Sequence, residues 1–228
     1  MDRLAAREKE VFEALEALSR SKCSFVVIGG YAVNAYALPR FSVDCDLVVQ
    51  GEGLRKAGKT LLSVGFVRVA PPKHAPYANF SRFEKEALPG IVAAFDVLMG
   101  EVHDRQSGTT FAADWAFSHS SAVSLPAKTF AGQIRVRIVN ADSLFVMKFC
   151  CARATDIRDI FMLCDKVKDW GWVRADLAAR VDLVTQHRKI MQKVSGAEFR
   201  KDLGGVFGYV EPAAFEKRLK ILAAIMEK

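Results

Sequence analysis

Apolar residues recur at helical spacing from the start of the chain. Leu4, Val11, Phe12, Leu15 and Leu18 predict a helix to about Ser19. The short β-rich run "SFVVIGG" then predicts a strand stopped by glycine. "YAVNAYAL" has helix-compatible spacing and ends before Pro39, and "VDCDLVVQ" predicts a second strand ended by Gly51. Residues 52–64 read as a helix and "GFVRVA" as a strand, while residues 77–84 alternate like a strand with one polar face. "GIVAAFDVLM" is an almost unbroken apolar run, the pattern of a strand buried on both faces. In "GQIRVRIVN", Arg135 and Arg137 alternate with Ile134 and Val136.

After Asn140 the period changes. "ADSLFVMKFCCARATDIRDIFMLCDKV" reads as one helix with Asp142 or Ser143 as its start signal. "VRADLAARVDLVTQHRKIMQKV" and "EPAAFEKRLKILAAIME" read as further helices. Strand signals stop and helix signals take over. The expected fold class is therefore α+β, with a sheet-bearing N-terminal domain over residues 1–139 and an α-helical domain over residues 140–228.

Composition narrows this picture only a little. With 228 residues the chain is long enough for a sizeable core, and half of its residues are apolar, which excludes a disordered or fibrous class. The formal charge of +7 leans toward an anionic partner such as a nucleotide or RNA, although the basic residues form no block. Five cysteines without CxxC spacing read as buried, reduced thiols, and the four histidines form no ligand pair. The charged, amphipathic first twenty residues do not read as a signal peptide, and no apolar run is long enough to span a bilayer. A soluble, cytoplasmic protein with no membrane partner is expected.

The candidate chemistry sits in "IGGYAVNAYALPRFSVDCDL". Residues i and i+2 of a strand face the same way, about 7 Å apart. Asp44 and Asp46 therefore project two carboxylates from one face, where they repel unless a cation or a proton intervenes. A divalent ion suits them: Mg²⁺ takes one or two carboxylates and completes its shell with water and substrate phosphates. Asp96 is a third acid inside "IVAAFDVLM", where an unpaired charge is costly. If its strand neighbours that of Asp44 and Asp46, the three acids converge. Taken singly, each motif has a plainer explanation: a DxD is as often a turn or a solvated strand face, and a glycine pair is usually a tight turn. Gly29 and Gly30 end a strand and open a helix, so backbone N–H groups there have room to face a phosphate chain. Neither GxGxxG nor a P-loop occurs.

Hydrophobic-Gly29-Gly30, a gap of thirteen residues, and then Asp44-Cys45-Asp46-Leu47 resemble the signature of the DNA polymerase beta-like nucleotidyltransferase superfamily, with Asp96 matching its third acid. "PRFSVDCDL" is similar to the form found in the AbiEii/AbiGii toxin-like branch, and "SLFVMKFCCARATDIRDI" is similar to that branch's lysine-bearing helix and Arg/Asp-rich turn. Here that segment carries Lys148, Arg153, Asp156 and Asp159. The chain departs from the pattern in having Gly30 where many members have serine, and Thr155 where the branch often has lysine.

The resemblance implies a nucleotidyltransferase-type mixed sheet flanked by helices, followed by a helical domain that selects the acceptor. It implies transfer of a nucleoside monophosphate from an NTP to a hydroxyl, with release of pyrophosphate. Asp44, Asp46 and Asp96 are then the catalytic and metal-binding acids for two Mg²⁺ (or Mn²⁺) ions. Gly29 and Gly30 admit the nucleotide, while Arg40 and Lys148 offset its charge. Asp156 and Asp159 more simply cap and orient a helix. RNA or protein is the expected acceptor, with a cognate antitoxin as a possible partner. A small-molecule (antibiotic) nucleotidyltransferase and a catalytically weak NTP-binding module are the alternatives.

Overall fold

The computed structural model describes residues 3–70 and 79–226. Over these residues the chain is α+β and divides into two compact units. The first comprises Met1–Ala35, Phe41–Val102 and Thr110–Val139, and the second Tyr36–Arg40, His103–Thr109 and Asn140–Lys228.

In the first unit the chain runs α1 (Arg3–Arg20), β1 (Phe25–Ile28), α2 (Gly29–Asn34), β2 (Asp44–Val49), α3 (Gly53–Ser63) and β3 (Val67–Val69). It continues through β4 (Phe80–Leu88), β5 (Ile91–Met99), β6 (Glu101–His103, whose last residue belongs to the second unit), β7 (Thr110–Ala112), α4 (Ala113–Ser118), β8 (Ser120–Pro126) and β9 (Gln133–Val139). Seven of the strands form a mixed sheet in the order β3-β4-β5-β2-β1-β9-β8. β2 runs parallel to β5 and β1 parallel to β9, whereas β1/β2, β4/β5 and β8/β9 are antiparallel.

One face of the sheet carries the core. Val11, Phe12, Leu15 and Leu18 of α1 are buried, as their spacing predicts. Lys85 of β4 pairs with Glu10 of α1 at 2.5 Å, and Phe83 packs under Gly58 of α3. Alternate residues of β4 therefore face α1 and α3, and so do Cys45 and Leu47 of β2, both fully buried. Glu8 of α1 is buried; its carboxylate accepts the backbone N–H groups of Lys128 and Thr129 and the Thr129 hydroxyl.

The second unit carries α5 (Ala141–Cys151), α6 (Ala154–Leu163), α7 (Trp170–Ala178), α8 (Leu183–Val194), α9 (Phe199–Phe207) and α10 (Pro212–Ala223). Phe161 anchors its core, 5.2 Å from the Phe199 ring and 4.8 Å from that of Phe215.

Several boundaries differ from expectation for local reasons. The long helix expected after Asn140 is two. Ala152 takes a left-handed conformation (φ 42°), and Arg153 restarts the chain as the N-cap of α6, its backbone N–H and its Nε both donating to Asp156 Oδ2. The start signal is Asn140, whose side chain accepts the Ser143 N–H. Asp182 likewise caps α8 through the Thr185 N–H and splits a second expected helix. α2 stops at Asn34, well before Pro39. β5 is buried only through its centre, and residues 77 and 78 of the alternating stretch lie outside the described residues. The five cysteines are free, four of them buried. No helix among the described residues is long and apolar enough to cross a membrane.

Candidate active site

The sheet face opposite α1 and α3 bears the acids. β2 alternates half-exposed Asp44 and Asp46 with buried Cys45 and Leu47, so both carboxylates leave the same side. The parallel register of β2 and β5 sets Asp46 opposite Asp96 and Asp44 opposite Ala94. β4 extends the rows, with Arg82 opposite Asp96 and Glu84 opposite Ala94. One face thus collects Asp44, Asp46, Asp96, Glu84 and Arg82 from three adjacent strands. Their fields reach the Cys45 thiol beneath. Burial pushes that thiol well above its usual value, and Asp46, Asp44 and Asp96 add to the shift.

Gly29 has a local reason to be glycine. Its φ is 65°, and a Cβ there would run into the Asp46 carboxylate and Cβ. Only a residue without a side chain lets the β1–α2 turn pass this close to the second acid. Gly30 follows it, buried in α2.

Arg82 is the residue that sequence reasoning missed. Its Nη1 donates to both oxygens of Asp96, at 2.9 and 3.1 Å, and lies 3.6 Å from Asp44 Oδ2. Its Nε donates to Glu84 Oε1 at 2.7 Å. The side chains of Arg82 and Asp96 are only 21% and 16% exposed. Burial pushes the Asp96 carboxyl up to about 6; Arg82 pulls it down, and Asp44 and Glu84 push it up. Burial also works against the charge of Arg82, yet Glu84, Asp96 and Asp44 hold that guanidinium above its usual value. The available signal was the alternation Arg82, Glu84 in a strand whose neighbour carries Asp96.

The two expected nucleotide-binding cations lie together in the second unit. Arg40 grips Asp159 through two hydrogen bonds of 2.7 Å, from Nε and Nη2. Lys148 Nζ lies 3.0 Å from Asp159 Oδ2 and donates to Asp156 Oδ1 at 2.8 Å. Arg153 Nε donates to Asp156 Oδ2 at 2.6 Å, and its Nη1 approaches Asp104 Oδ1 at 3.7 Å. Three cations thus meet three carboxylates. Burial disfavours the Lys148 charge, but Asp159 and Asp156 outweigh it and raise its pKa. Asp156 is lowered although its burial acts the other way, because Lys148 and Arg153 hold it ionised. Asp156 also has the helix-capping role expected of it. Trp115 and Trp170 make ring contacts inside their own units, with Phe111 and Phe145 respectively.

Among the described residues, no group of three or more His, Cys, Asp or Glu side chains is disposed to enclose a metal ion. The donors that are present are hard carboxylate oxygens on one open face, which fit an ion that takes one or two carboxylates and completes its shell with water and phosphate. They lack the histidine and cysteine ligands that most zinc sites are built on.

Neither a family model nor a curated protein sequence matches this chain. Its fold is similar to that of the antibiotic-resistance factor ANT(2'')-Ia in solution, with a TM-score of 0.54 and 14% identity over 77% of this chain and 91% of that one. The crystal structure of ANT(2'')-Ia in complex with adenylyl-2''-tobramycin matches with a TM-score of 0.50 and 15% identity over 75% and 95%. At this identity the likeness is one of fold alone.

Proposed function

We propose that this protein is a metal-dependent nucleotidyltransferase, which moves a nucleoside monophosphate from an NTP to a hydroxyl and releases pyrophosphate. The observation that carries the reading is the convergence of Asp44, Asp46 and Asp96 on one sheet face, set by the parallel register of β2 and β5. Three carboxylates in adjacent rows repel one another, and a ligand of positive charge relieves that repulsion. When bound there, divalent ions would neutralise the phosphates and stabilise the charge that develops during transfer.

The chain's own residues supply the rest. Asp44 and Asp46 present oxygens from a strand anchored by buried Cys45 and Leu47. Asp96 takes the proton as the acceptor hydroxyl attacks the α-phosphorus; the bond to the pyrophosphate oxygen breaks, and pyrophosphate leaves with that electron pair. Gly29 allows the turn to close against Asp46. Nucleotide binding by Arg40 and Lys148 is proposed from the sequence resemblance, with Asp159 holding the two cations together.

RNA or protein is the acceptor the sequence resemblance favours, and the toxin-like branch and antitoxin partner rest on it alone. A small-molecule hydroxyl is the second reading, favoured by the fold's likeness to ANT(2'')-Ia as the adenylyl-2''-tobramycin complex. One experiment separates them. The protein is incubated with Mg²⁺ and each α-labelled NTP, in parallel with total RNA, a protein extract and a panel of aminoglycosides. Label entering one acceptor class identifies it; NTP binding without transfer to any of them replaces this reading with the binding module.

A further inference from the structure

We propose that Arg82 is a resident cation of the carboxylate cluster, occupying the side of it where a second divalent ion would bind. The inference rests on the metal-dependent reading above and deepens it. The metal-free protein then offers one ion site, at Asp44 and Asp46, and a second opens only when the guanidinium lets Asp96 go.

Backbone geometry places Arg82 there. The antiparallel register of β4 and β5 sets it opposite Asp96, on the acid face and away from α1 and α3. One nitrogen, Nη1, contacts both Asp96 oxygens and stands 3.6 Å from Asp44, so a single positive group already bridges the acids of two neighbouring strands. The opposite end of the fork is tied down, since Nε donates to Glu84. A guanidinium fixed at both ends loses little freedom and does not drift off into solvent.

Charge points the same way. Arg82 already lends its positive charge to Asp96, Asp44 and Glu84, so a second ion arriving at Asp96 meets a cation. Their repulsion disfavours that ion until a triphosphate arrives. Arg82 and a second ion therefore compete for Asp96, and the nucleotide tips the balance. Arg82 is a positioning residue: it holds Asp96 in place and acts on the reaction through it.

The test counts ions rather than turnover. Mn²⁺ alone is titrated into the wild type and into Arg82→Gln without nucleotide, with free Mn²⁺ read by electron paramagnetic resonance. The wild type is expected to bind one Mn²⁺ and Arg82→Gln two, the first of them roughly tenfold more tightly. Equal stoichiometry and affinity in the two proteins overturn the proposal while leaving the metal-dependent reading intact. No Mn²⁺ binding by either protein overturns both. The wild type gives a second readout that needs no variant, the ¹⁵N-resolved Arg82 Nε–H resonance held by Glu84. It is expected to persist with Mg²⁺ alone and to shift or broaden when Mg²⁺ and a non-hydrolysable NTP analogue are added together. An unchanged resonance under both conditions overturns the proposal.

Discussion

Two of the charge clusters among the described residues are built on opposite plans. In the helical unit Arg40, Lys148 and Arg153 meet Asp104, Asp156 and Asp159, one cation for each acid. Lys148, Asp156 and Asp159 are buried there. On the sheet, Asp44, Asp96 and Glu84 share Arg82, Asp46 stands on the same face, and that face is more open. A buried network survives only when its charges close among themselves, because an unpaired ion away from water is expensive. An unbalanced cluster at a half-exposed face is tolerable, and what it lacks is what it recruits. The balanced group reads as architecture, and the unbalanced one is the proposed site.

Removing acids from each cluster should therefore have opposite consequences, and the largest effect belongs to the sheet. Asp44→Asn with Asp46→Asn is expected to lower nucleotidyl transfer by about 10³-fold or more, through loss of the groups that place the phosphates. The melting temperature should stay level or rise, because like charges that repelled one another are gone. Full transfer activity in this variant would show that these acids are not the metal platform.

In the helical unit the same chemistry should act on stability. Asp159 is fully buried and accepts from both Arg40 and Lys148. Asp159→Asn is expected to cost about 3–5 kcal/mol, measured by denaturant unfolding, because it leaves two cations short of a partner. A loss under 1 kcal/mol would break the contrast between the clusters. Lys148→Met sharpens it at a single residue: as a nucleotide-binding lysine its loss raises KM for the NTP about tenfold below the melting point. As a member of the network alone, it lowers only the melting temperature.

Gly29→Ala tests how tightly the sheet cluster is built. The backbone conformation with φ of 65° and the close Asp46 carboxylate both reject a Cβ. A destabilisation of about 1–2 kcal/mol is expected, with transfer activity falling further than stability because Asp46 is the group displaced. An alanine variant with wild-type melting and turnover would remove Gly29 from the site.

How far the sequence leads differs between the two clusters for the same physical reason. Asp44 and Asp46 are legible because a strand's period of two is local, and Asp96 because an acid in an apolar run is anomalous within its own ten residues. Arg82 is not legible. Its meaning comes from lying opposite Asp96 across β4 and β5, and pairing register is not written in either strand alone. Arg40 and Asp159 are 119 positions apart, so their ion pair is visible only in the fold. The break between α5 and α6 escaped for another reason: Ala152 is a good helix former, and its left-handed turn is imposed by the capping of Arg153 and Asp156.

The smallest effect needs no substitution, only a change of pH, and here the clusters should part in sign. Asp96 in the metal-free fold titrates at about 6, above its unfolded value near 4, because burial outweighs the help of Arg82. Between those two values the folded state holds a proton that the unfolded chain has released, so this group makes the fold more stable as pH falls from about 6 toward 4. The gain is modest because Arg82 stays beside the carboxyl and the face is open to water. Asp156 is shifted down by Lys148 and Arg153 despite its burial, so it stabilises the fold above about pH 4 and loses that contribution as pH falls further. Carboxyl NMR of the metal-free protein, with thermal melts in parallel, should show Asp96 titrating near 6 and stability rising slightly toward pH 4 before it collapses. Added Mg²⁺ with an NTP analogue should pull the Asp96 midpoint down, since the ionised form is then the one that is held. A midpoint near 4 without metal would mean that Arg82 already neutralises Asp96 fully, and the sheet cluster would then be closed in the same sense as the helical one.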